Sequence, residues 1–487
     1  MTRLVTSRRR LIGCFVALLL PWIGAALHAA EKQPNILFAI ADDWSWPHAS
    51  IYDDKVVKTP TFDRVAREGV LFTNAYCATP SCTASRSAIL TGQTPHRLED
   101  AANLWSLLPA KYDVYPDLLE DAGYVVGYMR KGWGPGTIEE AGRSRNPAGP
   151  QFKSFAEFHQ TVGDDKPFCF WFGSQDPHRT YAPRSGVASG MKIEDVEVPP
   201  YLHDSPTVRS DMCDYYWEVQ RFDREVGEIL NALEASGKLD NTLVVITSDN
   251  GMPFPRAKAN LYDAGTRMPL AIRWPRSIAE PGRRYDGFVS FVDLAPTFLV
   301  AAGLKATADM HGKPLQDVFK GCEPGDRPMV FFERERHGNV REGNLSYPAR
   351  GVRTKDFLYI KNFRPDRWPA GDPEMHDPAR NFGDIDDSPT KRELLDRRDD
   401  PAIKPLFNLA CAERPAEELY DLKHDPHQLT NLAGDEQYAR IKRELFEELW
   451  RWMVKTGDPR ASANDDRYDH YRYFRPDRRQ VKKPSQE

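Results

Sequence analysis

The sequence predicts an α/β fold: a large, mostly parallel sheet, followed by a smaller C-terminal α+β subdomain with a short antiparallel sheet. Three observations predict it. Continuous apolar runs recur, as in strands buried on both faces. Segments with helical apolar spacing separate them. Polar clusters stand just past the ends of those runs, the edge at which open α/β sheets build their sites. At 487 residues, the chain has room for a large core and a second, smaller unit.

The first apolar run is Asn35 to Ala41, and it ends in Asp42-Asp43. A helix follows, with Thr59 as N-cap, Pro60 at its first position, Phe62, Val65 and Ala66 on one face, and Gly69 as stop. Pro80 and Ser81 end a loop, and Thr83 to Leu90 opens a helix closed by Gly92. Cys82 then lies near a helix N-terminus, which favours an anion or a thiolate, with Arg86 one turn further on. Tyr115 to Gly123 repeats the helical pattern. Tyr124 to Met129 is a second strand, running into Arg130-Lys131-Gly132-Trp133. Phe168 to Gly173 is a third, ending at Asp176-Pro177-His178-Arg179. The longest helix runs from Asp211 to Ser236. Leu243 to Thr247 ends at Ser248-Asp249-Asn250, and Leu270 to Arg273 is a fifth strand. Asp42, Lys131, His178 and Asp249 thus each follow a strand.

The texture changes near Asn344, giving expected units of 31–343 and 344–487. Tyr347 to Asn362 reads as two short strands joined at Thr354-Lys355-Asp356. A loop rich in Pro and Asp spans 364–389, Leu419 to Leu422 is a short strand, and Glu436 to Lys455 is an amphipathic helix. The polar tail from Pro459, with Arg and Tyr interleaved, reads as solvated or loosely docked, with contact to an acidic glycan as the alternative.

Composition is globular, with 40% hydrophobic and 28% charged residues, and a net charge of −5 gives no footprint for nucleic acid. Residues 1–30 read as a signal peptide, with Arg8-Arg9-Arg10 before an apolar stretch that Pro21 interrupts and a small-residue cleavage site at Ala29-Ala30. Export by the general or the twin-arginine route follows, without stable membrane insertion after cleavage. The remaining cysteines, Cys77, Cys82, Cys169, Cys213, Cys322 and Cys411, show neither a disulfide framework nor close-set metal spacing.

Asp42, Asp43, Asp249 and Asn250 are hard-oxygen groups suited to Ca²⁺ or Mg²⁺. Either pair alone reads better as helix caps or loop charges. Cys82 alone reads equally as a buried structural cysteine.

The pattern Cys82-x-Ala84-Ser85-Arg86-x-x-Ile89-x-Thr91-Gly92 resembles the signature of the type I sulfatases, whose cysteine becomes formylglycine. Ala84 stands where Pro is usual. Lys258 with Tyr262-Asp263-Ala264-Gly265-Thr266-Arg267-Met268-Pro269 is similar to a second family segment, with Asp263 replacing Glu. Lys131 matches the lysine of a Gly-Lys-Trp-His segment whose histidine position holds Trp133, and His178 matches a second active-site histidine. The resemblance implies an alkaline-phosphatase-like sandwich and one Ca²⁺ per chain, held by Asp42, Asp43, Asp249, Asn250 and the oxygen of converted Cys82. It implies Arg86, Lys131 and Lys258 as the groups that neutralise a sulfuryl group, and His178 as the acid that protonates the leaving group. It also implies a sulfated saccharide as substrate and a formylglycine-generating enzyme as maturation partner.

Within the family, Asp176 to Arg179, Ser248 to Pro255, Asn260 to Tyr262 and Ser346 to Arg350 are most similar to the sulfamidase branch, which implies N-sulfoglucosamine. Lys258, where an Arg is associated with that branch, and Trp133 depart from it. Asp176, Arg179 and His337, with Arg334 and Arg336, are the expected substrate contacts. The alternatives are an O-sulfatase, a phosphodiesterase or phosphonate hydrolase with the same sheet, and an inactive glycan-binding relative.

Overall fold

Along β1 (Asn35–Ala41) alternate residues serve opposite cores: Ile36, Phe38 and Ile40 face one, Leu37, Ala39 and Ala41 the other. That explains an unbroken apolar run where a half-solvated strand would alternate with polar residues. The structure is a computed structural model and describes residues 1–2, 33–163, 165–321, 323–374, 381–463 and 465–475. The expected signal peptide lies outside the described residues, apart from its first two, as does Cys322. Contacts separate Met1–Lys32 from Gln33–Glu487, and every described strand belongs to the latter unit.

The further strands are β2 (Val70–Tyr76), β3 (Val125–Arg130), β4 (Gln151–Phe152), β5 (Phe168–Gly173), β6 (Thr242–Ser248), β7 (Arg267–Arg273) and β8 (Arg283–Ser290). They join β1 in an eight-stranded sheet of order β4-β3-β5-β1-β6-β7-β2-β8, in which β7 alone runs antiparallel to its neighbours. Helices Cys82–Thr91, Tyr115–Asp121 and Leu294–Ala301 cover one face. Helices Pro60–Arg67, Phe155–Val162 and Pro206–Ala235 cover the other. The result is the sandwich that the alternation of elements predicts.

Two helix starts differ from expectation, each for a local reason. The longest helix begins at Pro206 rather than Asp211, because Ser205 Oγ accepts from the Val208 N–H at 3.2 Å and Pro206 fits the first turn. Thr59 does not cap the first helix with its side chain; its hydroxyl donates to Asp63 at 3.1 Å. The cap comes from across the core, where the Asp223 carboxylate accepts from the Thr61 and Phe62 N–H groups at 3.0 and 2.7 Å. Burial raises that carboxyl to about 6.

The smaller sheet has the order β12-β11-β10-β9, with β9 (Met329–Arg334), β10 (Ala349–Thr354), β11 (Phe357–Asn362) and β12 (Glu417–Asp421) all antiparallel. Its edge strand β9 lies upstream of the boundary expected at residue 344, since Arg334 pairs with Ala349. Tyr76 of the large sheet stacks on Phe332 of the small one, with ring centroids 5.7 Å apart. Helix Ala439–Thr456 packs Leu445, Leu449 and Met453 on the outer face, against Val352 and Leu419.

The segment from Pro459 to residue 475 is docked, not solvated. Arg460 is fully buried on Glu335, and Tyr468 sends its hydroxyl to the His96 carbonyl at 2.9 Å. Beneath it lies a closed charge network. Arg350 donates to Asp458 at 2.6 Å and to Glu335 at 2.8 Å, and lies 3.4 Å from Glu333, which holds His96 at 2.5 Å.

Replacing Arg350 by Ala leaves Glu333, Glu335 and Asp458 buried with too few cations. Removing one partner from a buried ion pair costs about 3–5 kcal/mol. Denaturant unfolding of Arg350→Ala is expected to show a loss of that order. A loss below about 1 kcal/mol, the range of exposed pairs, contradicts the network's role.

Candidate active site

Strands β3, β5, β1 and β6 are contiguous and parallel, so their carboxyl ends form one edge. Register sets Ala41 beside Ser248 and Arg130 beside Gly173. The next residues are therefore Asp42 beside Asp249, with Lys131 one strand beyond β5. In an extended strand Asp42 and Asp43 would point to opposite faces. Asp43 instead adopts φ 78°, the left-handed region, and both carboxylates turn into one cluster. Helix Cys82–Thr91 directs its N-terminus at the same edge, with Cys82 as its first residue. Ligand atoms of Asp42, Asp43, Cys82 and Asp249 lie within 4.8 Å of one another, all buried.

Cations hold this cluster together. Arg86 donates through Nε to Asp249 at 2.8 Å, and through Nη1 to the Lys131 and Gly132 carbonyls at 3.0 Å each. Its Nη2 has no hydrogen-bond partner and lies 3.7 Å from Asp42. Lys131 grips both oxygens of Asp42 at 2.7 and 2.6 Å, and Lys258 meets Asp43 at 2.7 Å. Burial opposes ionisation of Asp42, yet Lys131, His178 and Arg86 hold its carboxyl well below the usual range. Burial pushes the Cys82 thiol far up, against the pull of Lys131, so the unmodified side chain is a neutral thiol. Burial, with Asp249 and Asp42 beside it, thus opposes the thiolate that a helix N-terminus alone would favour.

Lys131 is fixed through its backbone. Its N–H donates to the Gly173 carbonyl at 2.9 Å, and its carbonyl also accepts from Trp171 Nε1 at 3.1 Å. A Cβ on residue 173 would sit 1.7 Å from the Lys131 carbonyl oxygen, so only glycine permits this approach.

The donor set fits a divalent cation. Asn250 Nδ2 donates to Asp43 at 2.7 Å, while its Oδ1 is buried without a partner. A lone buried amide oxygen beside carboxylates is costly unless something electropositive meets it. Hard oxygens suit Ca²⁺ or Mg²⁺.

The cluster opens into a cavity of about 580 Å³ whose wall includes Cys82, Lys131, His178, Lys258, His337 and Asp386. The His178 Nδ1 atom lies 2.6 Å from the Arg179 carbonyl, which can only accept, so Nδ1 carries a proton. Its Nε2 lies 3.9 Å from Asp43. His337 Nδ1 meets the Ser81 hydroxyl at 2.9 Å, and burial lowers this imidazole to about 4. Asp386 was not among the expected residues. It lies 3.2 Å from Lys258, inside an Asp-rich loop where nothing in the sequence separates it from Asp384 or Asp387.

Other expected residues are engaged elsewhere. Arg86 is fully buried and does not line the cavity. Asp176 and Arg179 line it, but Asp176 is held by Arg221, and Arg179 forks onto Asp211 at 2.7 and 2.8 Å. Arg334 pairs with Asp384 at 2.5 Å, and Arg336 donates to the Tyr471 carbonyl at 2.8 Å. Both are therefore buried structural cations and not contacts for a ligand. Trp133 does not occupy an active-site position. It is buried in the core and donates to Ser87 at 2.8 Å. A second cavity, about 630 Å³, contains none of the clustered groups.

A family model described as Sulfatase matches residues 34–304, and one described as N-sulphoglucosamine sulphohydrolase, C-terminal, matches residues 256–402. The chain is 31% identical to human N-sulphoglucosamine sulphohydrolase, covering 89% of this chain and 92% of that protein. It is 28% identical to an ulvan-active sulfatase of Formosa agariphila, over 88% of this chain and 76% of the relative. Among solved structures, one in complex with its substrate D-glucosamine-2-N,6-O-disulfate superposes with a TM-score of 0.62. It is 22% identical and covers 89% of this chain and 100% of its own.

Proposed function

The chain belongs to the sulfatase family, and from that premise we propose that it hydrolyses the N-sulfate of glucosamine at the non-reducing end of a glycan. The buried convergence of Asp42, Asp43, Cys82 and Asp249 within 4.8 Å supports the sulfatase chemistry. The sugar assignment rests on the 31% identical human relative and on the matching C-terminal model.

Sulfatases of this family use formylglycine and a metal ion. In this reading, residue 82 as formylglycine would supply a hydrated aldehyde: one hydroxyl loses its proton and attacks sulfur as the S–N bond breaks, and the other then loses its proton as the C–O bond to the sulfate breaks, releasing sulfate and restoring the aldehyde. Asp42, Asp43, Asp249 and the Asn250 Oδ1 atom would hold Ca²⁺, which would supply Lewis-acid polarisation when bound. Lys131 and Lys258, positioned at the cavity wall by Asp42 and Asp43, neutralise the sulfuryl oxygens. Arg86 acts one layer back, fixing Asp249 and the Lys131 backbone. His178 moves the proton: its Nδ1 is committed to a carbonyl, so Nε2 serves the leaving nitrogen. His337 and Asp386 line the sugar side of the cavity and can accept or donate hydrogen bonds to hydroxyls.

Export fits this reading, since glycans are met outside the cell, and no described helix is long and apolar enough to cross a membrane. Maturation requires a formylglycine-generating enzyme before or during export.

Two measurements test the proposal. Offered N-sulfated and 6-O-sulfated glucosamine side by side, the enzyme is expected to release sulfate from the N-sulfated sugar. Release only from the O-sulfated sugar overturns the substrate and leaves the family intact. Chelation is expected to lower activity and melting temperature together, with calcium restoring both. A ligand at a hundredfold excess over its Kd adds about 2.7 kcal/mol of stability. Stoichiometric zinc, with activity indifferent to calcium removal, contradicts the metal assignment.

A further inference from the structure

Nearly every cation lining the active-site cavity answers a carboxylate. Lys131 sits on Asp42, Arg179 on Asp211, Arg221 on Asp176, and Lys258 on Asp43 and Asp386. Arg475 lines the same cavity, and among the described residues it has no carboxylate within 4.0 Å. Its guanidinium lies 5.9 Å from the centre of the Trp105 ring. Trp105 and Tyr473 also line the cavity.

These residues come from opposite ends of the chain, and the fold works to join them. The C-terminal segment is strapped down by Asn103 Nδ2 on the Tyr468 carbonyl at 3.1 Å and by Arg336 Nη2 on the Tyr471 carbonyl at 2.8 Å. The Asp469 carboxylate accepts from the Ser346 N–H at 2.6 Å, and the Phe474 N–H donates to the Trp105 carbonyl at 2.7 Å. Arg336 is fully buried, donates to the Tyr468 and Tyr471 carbonyls and lies 5.8 Å from the Tyr473 ring, and burial lowers its guanidinium to about 10. The last contact of the strap lies one residue before Arg475 and fixes where that side chain begins.

We propose that the strap completes the substrate cavity: Arg475, with the Trp105 and Tyr473 rings, forms a subsite for a second anionic group. That group is a carboxylate or sulfate on the sugar joined to the one that loses its sulfate. A guanidinium reads a pair of carboxylate or sulfate oxygens with paired donors, and the rings offer faces for a sugar. This deepens the reading of the cavity as a sulfated-saccharide site and rests on it. It also turns the interleaved Arg and Tyr residues of the tail into binding groups.

The test compares kcat/KM for N-sulfated glucosamine alone, for the same sugar linked to a hexuronic acid, and for that disaccharide with its carboxylate reduced to an alcohol. In the full chain, Arg475→Gln is expected to lower the ratio of uronate disaccharide to monosaccharide about tenfold, through KM and not kcat. Arg475→Lys should fall between, and the reduced disaccharide should show no such drop. An unchanged ratio, or an equal drop with the reduced disaccharide, overturns the proposal. If the wild type cleaves only O-sulfated sugars, the same ratio is measured on the O-sulfated counterparts. The N-sulfate reading then fails alone, and the Arg475 subsite is still decided.

Discussion

Buried negative charge is the constraint on which this molecule depends. Asp42, Asp43 and Asp249 converge within 4.8 Å at one sheet edge, with Cys82 among them. Like charges so close, out of water, repel strongly. The surroundings answer with Arg86 on Asp249, Lys131 on Asp42 and Lys258 on Asp43. Arg86 is the keystone, because its guanidinium also binds the Lys131 and Gly132 carbonyls and so ties the carboxylates to the backbone that carries one of the lysines. A site arranged this way holds its charges in place in advance, which is how preorganised electrostatics lowers a barrier.

The large sheet makes that arrangement possible. Four contiguous parallel strands end together, and each delivers a different group. Helix Cys82–Thr91 brings Cys82 with its N-terminus toward them, held by Ser85 Oγ on the Asp249 carbonyl at 2.5 Å. The small sheet and the tail contribute no charge to the cluster itself. They close the cavity from the other side with His337, Asp386 and Arg475. In the proposed reading, chemistry sits on the sheet edge, and the groups that distinguish substrates sit on loops and the terminal strap, where change is tolerated more easily.

How much of this was legible follows from how local each signal is. β1, β5 and β6 announce themselves as apolar runs, and the groups after them could be placed from sequence alone. β2 and β8 were not foreseen. β2 starts at Val70, straight after the Gly69 helix stop, and β8 is an edge strand whose Arg283, Arg284 and Asp286 interrupt the apolar pattern. Capping of the first helix by Asp223 was invisible because the partners are 162 residues apart. Arg334, Arg336 and Arg179 looked like free cations for the same reason: their partners come from remote segments. Asp386 was hidden among other loop aspartates, and the docking of the tail depends on Asn103, Arg336 and Ser346, none adjacent to it.

The central claim is that this charged cage exists to serve residue 82 as formylglycine. Mass analysis of the proteolytic peptide spanning Cys82, from preparations matured to different extents, tests it most directly. Turnover is expected to rise in proportion to the fraction of peptide carrying the aldehyde and to vanish in Cys82→Ser made in a host that modifies only cysteine. A fully active preparation whose Cys82 peptide is wholly unmodified would contradict it.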